Sequence, residues 1–238
     1  VRHGEVFNPD HVLYGRIPGF GLSELGHKMA AAAADSKVGR PITRLYASPL
    51  QRTQESAAPW SKNFGLEITT DVRLIEPWND FEGTPGFNAK TLLSPRTWGK
   101  LRNPFKPSWG EPYADIAARM LAVIEDAWRS TESGEVVLVS HQLPIWMVHR
   151  ALTGDRLFHD PRKRRCALSS ITTLAPSTSS GTGTPSGTGT PSGTGTPSAT
   201  GTPSGTGTPP ATGVGFVEVD YQDPAAALQA SAIDLGAV

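Results

Sequence analysis

The sequence predicts an α/β fold, and three observations carry that reading. Segments of strand character alternate along the chain with segments of helical character. The run Glu135-Val136-Val137-Leu138-Val139 is apolar without alternation, as a strand in a sheet buried on both faces requires. Just before it, Ile116, Met120, Val123, Ile124 and Ala127 recur at three- and four-residue steps, the stripe of a helix lying on a sheet. The 238 residues suffice for one large domain of this kind.

Taken in order, the chain opens on Val1-Arg2-His3-Gly4-Glu5 and runs into a loop through Gly19 that is too rich in Gly and Pro to be a regular element. Asn8 and Arg16 are the polar groups that loop can present to an anion. Ser23 is placed to cap a helix whose body, Met29 to Ala34, is mostly alanine; Gly39 and Pro41 stop it. Ile42 to Ala47 reads as a short strand, and a helix follows from Ser48-Pro49-Leu50-Gln51-Arg52-Thr53 through Trp60. Arg52 then lies in the first turn after a strand, where a guanidinium and free helix amides can converge on one phosphate. Leu66 to Thr69 is a further short strand, and Leu74-Ile75-Glu76-Pro77 leads into a segment without a sustained period up to Pro112. That segment is dense in aromatics and carries Lys90, Arg96, Lys100, Arg102 and Lys106; it reads as a cap over a binding site for an anionic substrate.

The helix with the apolar stripe starts at Glu111-Pro112 and is closed by Gly134; Met120 belongs to the core. The apolar strand ends on Ser140-His141, and Gln142-Leu143-Pro144 begins a helix with proline in its first turn. His141 therefore sits at the carboxyl end of a strand, where open α/β sheets bind ligands. The basic run Arg162 to Arg165 reads as a solvated turn, and Ala167 to Leu174 as a strand. From Ser177 to Thr212 a Gly-Thr-Gly-Thr-Pro-Ser hexapeptide recurs about five times, with one Ala-Thr variant, and cannot repay its ordering entropy. It is expected to be a flexible loop grown between the last two strands, since Val214 to Tyr221 resumes as an alternating strand. The domain thus spans 1–176 with a final strand at 213–222, an insert at 177–212 and a C-terminal tail at 223–238 expected to fray after Pro224.

Composition narrows the function. Basic and acidic side chains balance at 22 each, so no net field draws the chain to nucleic acid or an anionic membrane. The single cysteine, Cys166, excludes an internal disulfide and fits a reducing, cytoplasmic setting. No apolar run is long enough to span a bilayer and no signal-peptide pattern opens the chain. Walker loop, dinucleotide fingerprint and serine elbow are missing, and His3 and His141 lack zinc-type spacing, so neither cofactor nor metal is expected. What remains is Arg2, His3, Asn8, Arg16, Arg52, Glu76 and His141. Phosphoryl transfer through a histidine needs such a set: an imidazole to attack phosphorus, arginines for the equatorial oxygens, an acid for the leaving oxygen.

Arg2-His3-Gly4-Glu5, Asn8, Leu22-Ser23-x-x-Gly26, Ser48-Pro49-Leu50-x-Arg52-Thr53, Leu74-x-Glu76, Phe81-Glu82-Gly83 and Ser140-His141 together resemble the histidine phosphatase superfamily, the phosphoglycerate mutase-like phosphatases. They fall in family order over residues 1 to about 175 plus the final strand. The resemblance implies a three-layer α/β/α sandwich on a mostly parallel central sheet. It implies that His3 is the phospho-acceptor and that Arg2, Arg52 and His141 form the phosphate pocket. Asn8 and Arg16 match loop positions that touch phosphate or substrate, and Glu76 matches the proton donor. The step from Glu76 to Glu82-Gly83 is about one residue shorter than usual in the family, which leaves Glu82 as a secondary candidate acid. In the family an apolar strand runs into the Arg-His pair at mid-sheet; only Val1 of it is present, so that strand is expected to be missing. The activity implied is hydrolysis of a small phosphomonoester. A mutase reading is weakened because the residues around Arg16 do not resemble the longer, more basic motif of glycolytic mutases. A binding protein with the pocket and no turnover is the third reading. Substrate and oligomeric state are not legible.

Overall fold

The structure, a computed structural model, describes residues 1–83, 110–177 and 215–234. The repeat insert and the cations from Lys90 to Lys106 lie outside the described residues. The first helix, α1 (Glu24–Asp35), begins where Ser23 accepts a hydrogen bond from the Gly26 amide, satisfying one of the free donors of the first turn. Next come β1 (Ile42–Ala47), α2 (Gln51–Phe64) and β2 (Ile68–Thr70). Strand β2 starts two residues later than the sequence suggests. Gly65 closes α2 in the left-handed conformation, φ 66°, and the Leu66 amide returns to the Ser61 carbonyl, which spends the residue on the helix end. After the described gap, α3 (Tyr113–Arg129) leads to β3 (Glu135–Val139), and α4 (Gln142–Thr153) follows directly. The chain finishes with β4 (Ile171–Pro176), β5 (Phe216–Gln222) and a short helix, α5 (Ala226–Gln229).

Strands β2, β1 and β3 pair in parallel in that order, and β4 pairs antiparallel with β5. Helices α1 and α2 cover one face of the parallel sheet: Ala33, Ala34, Ala57 and Trp60 pack on Leu45, Ala47, Val137 and Val139. Helices α3 and α4 cover the other, where Ile116, Met120, Val123 and Met147 meet Tyr46 and Leu138. Successive residues of β3 therefore feed opposite cores, which is why its run is apolar throughout. The arrangement is the three-layer α/β/α sandwich expected, with Met120 in the core.

The two sheets are joined by the chain's first residues. Arg2 bridges in parallel to Ser140, the His3 amide donates to the Ser140 carbonyl, and the Arg2 amide donates to Ser170 just ahead of β4. Beyond that junction the edges of β3 and β4 face one another across a cavity of about 600 Å³, bordered by Val1, Trp60, Val136, Leu138, Ile171 and Thr173. Among the described residues no helix is long and apolar enough to cross a membrane.

Two expectations change. The tail does not fray over its described part. Ala225 is buried with Met29 and Leu168, and the Gln229 side-chain amide donates to the Leu168 carbonyl at 2.8 Å. Alanine loses no rotamer freedom on docking, so an Ala-rich tail orders at low entropic cost once α1 offers an apolar surface. The basic run is only partly a solvated turn. Arg162 is exposed and bonded to Asp160, whereas Arg164 turns inward to His159 at 2.9 Å and Gln142 at 3.3 Å.

Candidate active site

The carboxyl ends of β1 and β3 and the junction at Val1–His3 lie side by side, so residues that follow them converge. His3 leaves the junction fully buried. Its Nδ1 lies 2.7 Å from the Gly4 carbonyl, an oxygen that can only accept, so Nδ1 carries the proton. Burial, and then the charges of Arg52 and Arg2, hold the His3 imidazole well below its ordinary pKa, so the ring is neutral. Its Nε2 consequently bears the lone pair, and that atom has no hydrogen-bond partner among the described residues.

His141 caps the start of α4 immediately after β3. The two rings stand edge to face with centroids 5.2 Å apart. His141 Nε2 pairs with the Ser48 hydroxyl at 2.8 Å, and its buried Nδ1 lies 3.4 Å from the Glu76 carboxyl. Burial foremost, with Arg52 and His3 adding, depresses the His141 pKa well below the usual value as well.

Arg52 is in the first turn of α2 and is 1% exposed. One Nη donates to the Gly15 carbonyl at 2.7 Å and the guanidinium lies 4.8 Å from the centre of the Tyr14 ring. Its Nε has no hydrogen-bond partner among the described residues. The amides of Thr53 and Gln54 already bond to the Leu50 carbonyl, so the guanidinium, rather than those two amides, is what α2 offers to an anion. Arg2 is also fully buried, and its Nε has no hydrogen-bond partner among the described residues.

Glu76 follows the 3-10 turn Val72–Leu74, which the Ser140 hydroxyl ties to the end of β3 through the Leu74 carbonyl at 2.7 Å. Both Glu76 carboxyl oxygens are buried, and apart from the approach of His141 neither has a hydrogen-bond partner among the described residues. Burial raises its pKa to about 7 against the pull of Arg52, Arg164 and Arg2. A carboxyl group so poised is a proton carrier at neutral pH.

The structure thus brings Arg2, His3, Arg52, Glu76 and His141 into one buried cluster, and each has a side-chain nitrogen or oxygen without a hydrogen bond among the described residues. Buried polar atoms without partners are costly unless a ligand completes them, and these match a tetrahedral oxyanion and its leaving group. Other candidates sit at its edge or away from it. Arg16 donates its Nε to the Glu76 backbone carbonyl and one Nη to Glu111 at 3.2 Å, so it braces the acid's backbone. Asn8 spends both ends of its amide on Val12, at 2.9 and 3.0 Å, and shapes its own loop. Glu82 accepts from the Asn79 amide at 3.2 Å and lies against Gly15. The ends of the expected cap meet at an Asn79–Gly110 bridge, close in sequence to Glu76 and Glu111; its middle lies outside the described residues.

Ser48 and Ser56 are additions that residue type alone did not reveal. Ser56 Oγ accepts from the Gly4 amide at 3.0 Å and donates to the Arg52 carbonyl at 2.7 Å, locking the His3 loop to α2. Asp234 is another: its carboxylate forks onto both Nη atoms of Arg2.

Two imidazoles, two guanidiniums and a carboxyl group with a raised pKa are buried together here, a set whose chemistry suits a phosphoryl group. Residues 1–182 match the family model of the histidine phosphatase superfamily (branch 1), and the chain belongs to that superfamily. It is 55% identical over 177 residues to the uncharacterized protein Rv0525 of Mycobacterium tuberculosis, covering 73% of this chain and 87% of that one. It is 26% identical over 183 residues to a probable phosphoglycerate mutase, GpmB, of Yersinia enterocolitica, covering 72% and 82%. Among solved structures, the mycobacterial glucosyl-3-phosphoglycerate phosphatase Rv2419c superposes with a TM-score of 0.60 at 26% identity, over 74% of this chain and 88% of that one. The relatives with a described activity are a probable mutase and a phosphatase, and the shared fold is that of the phosphoglycerate mutase-like enzymes.

Proposed function

We propose that this chain is a phosphomonoesterase that hydrolyses a small phosphorylated metabolite through a phosphohistidine on His3, acting in the cytoplasm. The observation that carries the reading is the pairing of a proton-free, neutral His3 Nε2 with a carboxyl group at Glu76 whose pKa is near 7. The nucleophile is in its reactive form and the acid holds its proton under the same conditions.

In the first half-reaction the His3 Nε2 lone pair forms a bond to phosphorus and the bond from phosphorus to the ester oxygen breaks. Arg2 and Arg52 offset the charge on the equatorial oxygens, and Glu76 gives its proton to the departing oxygen. The Gly4 carbonyl, bonded to Nδ1–H, stabilises the positive charge that develops on the ring. In the second half a water attacks phosphorus while the Glu76 carboxylate takes its proton. The P–N bond breaks, its electron pair returns to Nε2, and inorganic phosphate leaves. His141, held by Ser48, stands edge to face beside His3 and offers its ring to the same phosphoryl group. The alternative of a mutase, which returns the phosphoryl group to the bound product, is separated by measuring free phosphate against isomerised product.

The test is a His3→Ala variant assayed beside the wild type on a panel of phosphorylated metabolites. Loss of phosphate release with an unchanged melting curve is expected; retained turnover overturns the reading.

A further inference from the structure

The guanidinium of Arg2 is buried completely, yet a residue 232 positions away completes its surroundings. Asp234 Oδ2 accepts from Nη1 at 2.8 Å and Oδ1 accepts from Nη2, while the Cys166 carbonyl accepts from Nη1 at 2.6 Å. A guanidinium has five N–H donors fixed in one plane. The end-on edge, one hydrogen from each Nη, is taken by the carboxylate, and the second Nη1 hydrogen by Cys166. What stays available is the side-on edge, Nε–H with the remaining Nη2–H, and Nε is the atom found buried and unpartnered. That edge matches two oxygens of a phosphate.

Asp234 is itself held in place. The preceding Ile233 amide donates to the Glu5 carboxyl at 2.6 Å, and Glu5 is in turn bonded to the cap residue Ser23 of α1. Upstream, Ala225 is 1% exposed against Met29 and Leu168, and Gln229 is bonded to the Leu168 carbonyl. The segment 225–234 is therefore anchored by apolar burial at Ala225 and by Glu5 at Ile233, and the next residue delivers its carboxylate to Arg2.

We infer that Asp234 is a positioning residue for the phosphoryl reaction: it occupies the end-on edge of Arg2 so that the side-on edge meets the phosphoryl group. The inference rests on the proposed phosphatase reading. A guanidinium without that partner keeps its charge but not its angle, and a misplacement of about 1 Å costs about a hundredfold in rate. The loss belongs in kcat, because the edge is aligned for the transition state, while KM changes little because the cation remains to attract the ground-state anion.

The experiment compares wild type, Asp234→Asn and Asp234→Glu in the full chain. It measures kcat and KM on a turned-over phosphomonoester, vanadate and inorganic phosphate affinity by titration, and melting temperature. Expected for Asp234→Asn are a ten- to hundredfold fall in kcat with KM within about threefold, vanadate weakened more than phosphate, and partial recovery of kcat in Asp234→Glu. Unchanged kcat, or a loss that tracks melting temperature alone, overturns the inference. So does faster turnover with tighter vanadate binding, which makes Asp234 an occluding group instead. If the wild type binds vanadate without turning over any ester, the phosphatase reading fails while the vanadate comparison still decides Asp234. A wild type that does not bind vanadate overturns both.

Discussion

Glu76 links stability and catalysis to pH through one proton. Its carboxyl group is 1% exposed, neither oxygen has a hydrogen bond among the described residues, and burial lifts its pKa from 4.5 to about 7. The native state then binds more protons than the unfolded chain between those two values, so stability falls as pH rises through this window. At about 1.4 kcal/mol per unit, ionising Glu76 costs the fold on the order of 3 kcal/mol above pH 7. His3 and His141 act in the opposite sense: their depressed values give stability above about pH 6.5 that is lost as pH falls below it. Comparing wild type with Glu76→Gln isolates the carboxyl group, because glutamine keeps the shape and cannot ionise. Urea melts should show the variant more stable than wild type at pH 9, by up to that amount, and close to wild type at pH 5. The same variant should lose about 10²- to 10⁴-fold in kcat/KM, which reports the step in which the alcohol leaves, on an alkyl phosphate, and far less on an aryl phosphate whose leaving group needs no proton. Wild-type kcat/KM on the alkyl ester should fall on the alkaline side of pH 7. Equal stabilities at pH 9, or an equal loss on both esters, would refute the assignment of a protonated acid at this position.

Further outcomes follow from contacts around the cluster. Ser48→Ala strips His141 Nε2 of its partner, a loss of about 1–3 kcal/mol for a buried polar atom, so kcat should fall roughly tenfold or more; an unchanged kcat would show the hydroxyl to be incidental. Gly26→Ala adds a good helix former to α1, yet its Cβ falls 2.0 Å from the Glu5 carbonyl, so thermal melting should show destabilisation of about 1–3 kcal/mol rather than the usual gain. Joining about five apolar, β-branched residues ahead of Val1 should fill the cavity between β3 and β4 and raise the melting temperature, with about 1.5–3 kcal/mol from each Val or Ile buried; equal melting temperatures refute a strand-shaped cavity.

The contrast between His141 and Asp234 shows what the sequence makes legible. His141 follows an unbroken apolar run and precedes a proline-started helix, so local pattern alone puts it at the carboxyl end of a strand. Arg52 and Glu76 are legible in the same way, as residues just past short elements. The layers were readable too, since the apolar stripe of α3 and the uninterrupted β3 demand cover on both faces. Asp234 carries no such signal. It lies in an Ala-rich tail with no periodicity, and its meaning comes only from a contact with Arg2 made by the folded chain. Asn8 shows the other side: an amide in a Gly/Pro-rich loop reads as a ligand, and composition gives no sign of the two hydrogen bonds to Val12 by which it also closes a local turn. Arg164 was masked by its neighbours, because a basic run reads as solvated and only packing against α4 selects the one member that turns inward.

The central claim is covalent chemistry at His3, and trapping the phosphoenzyme tests it most directly. Wild-type chain mixed with a ³²P-labelled turned-over ester and quenched within the first turnover should retain a label that is stable in base, labile in acid and confined to the peptide carrying His3, and His3→Ala should retain none. Turnover by the wild type without any label on that peptide, or the same label in the variant, would contradict it.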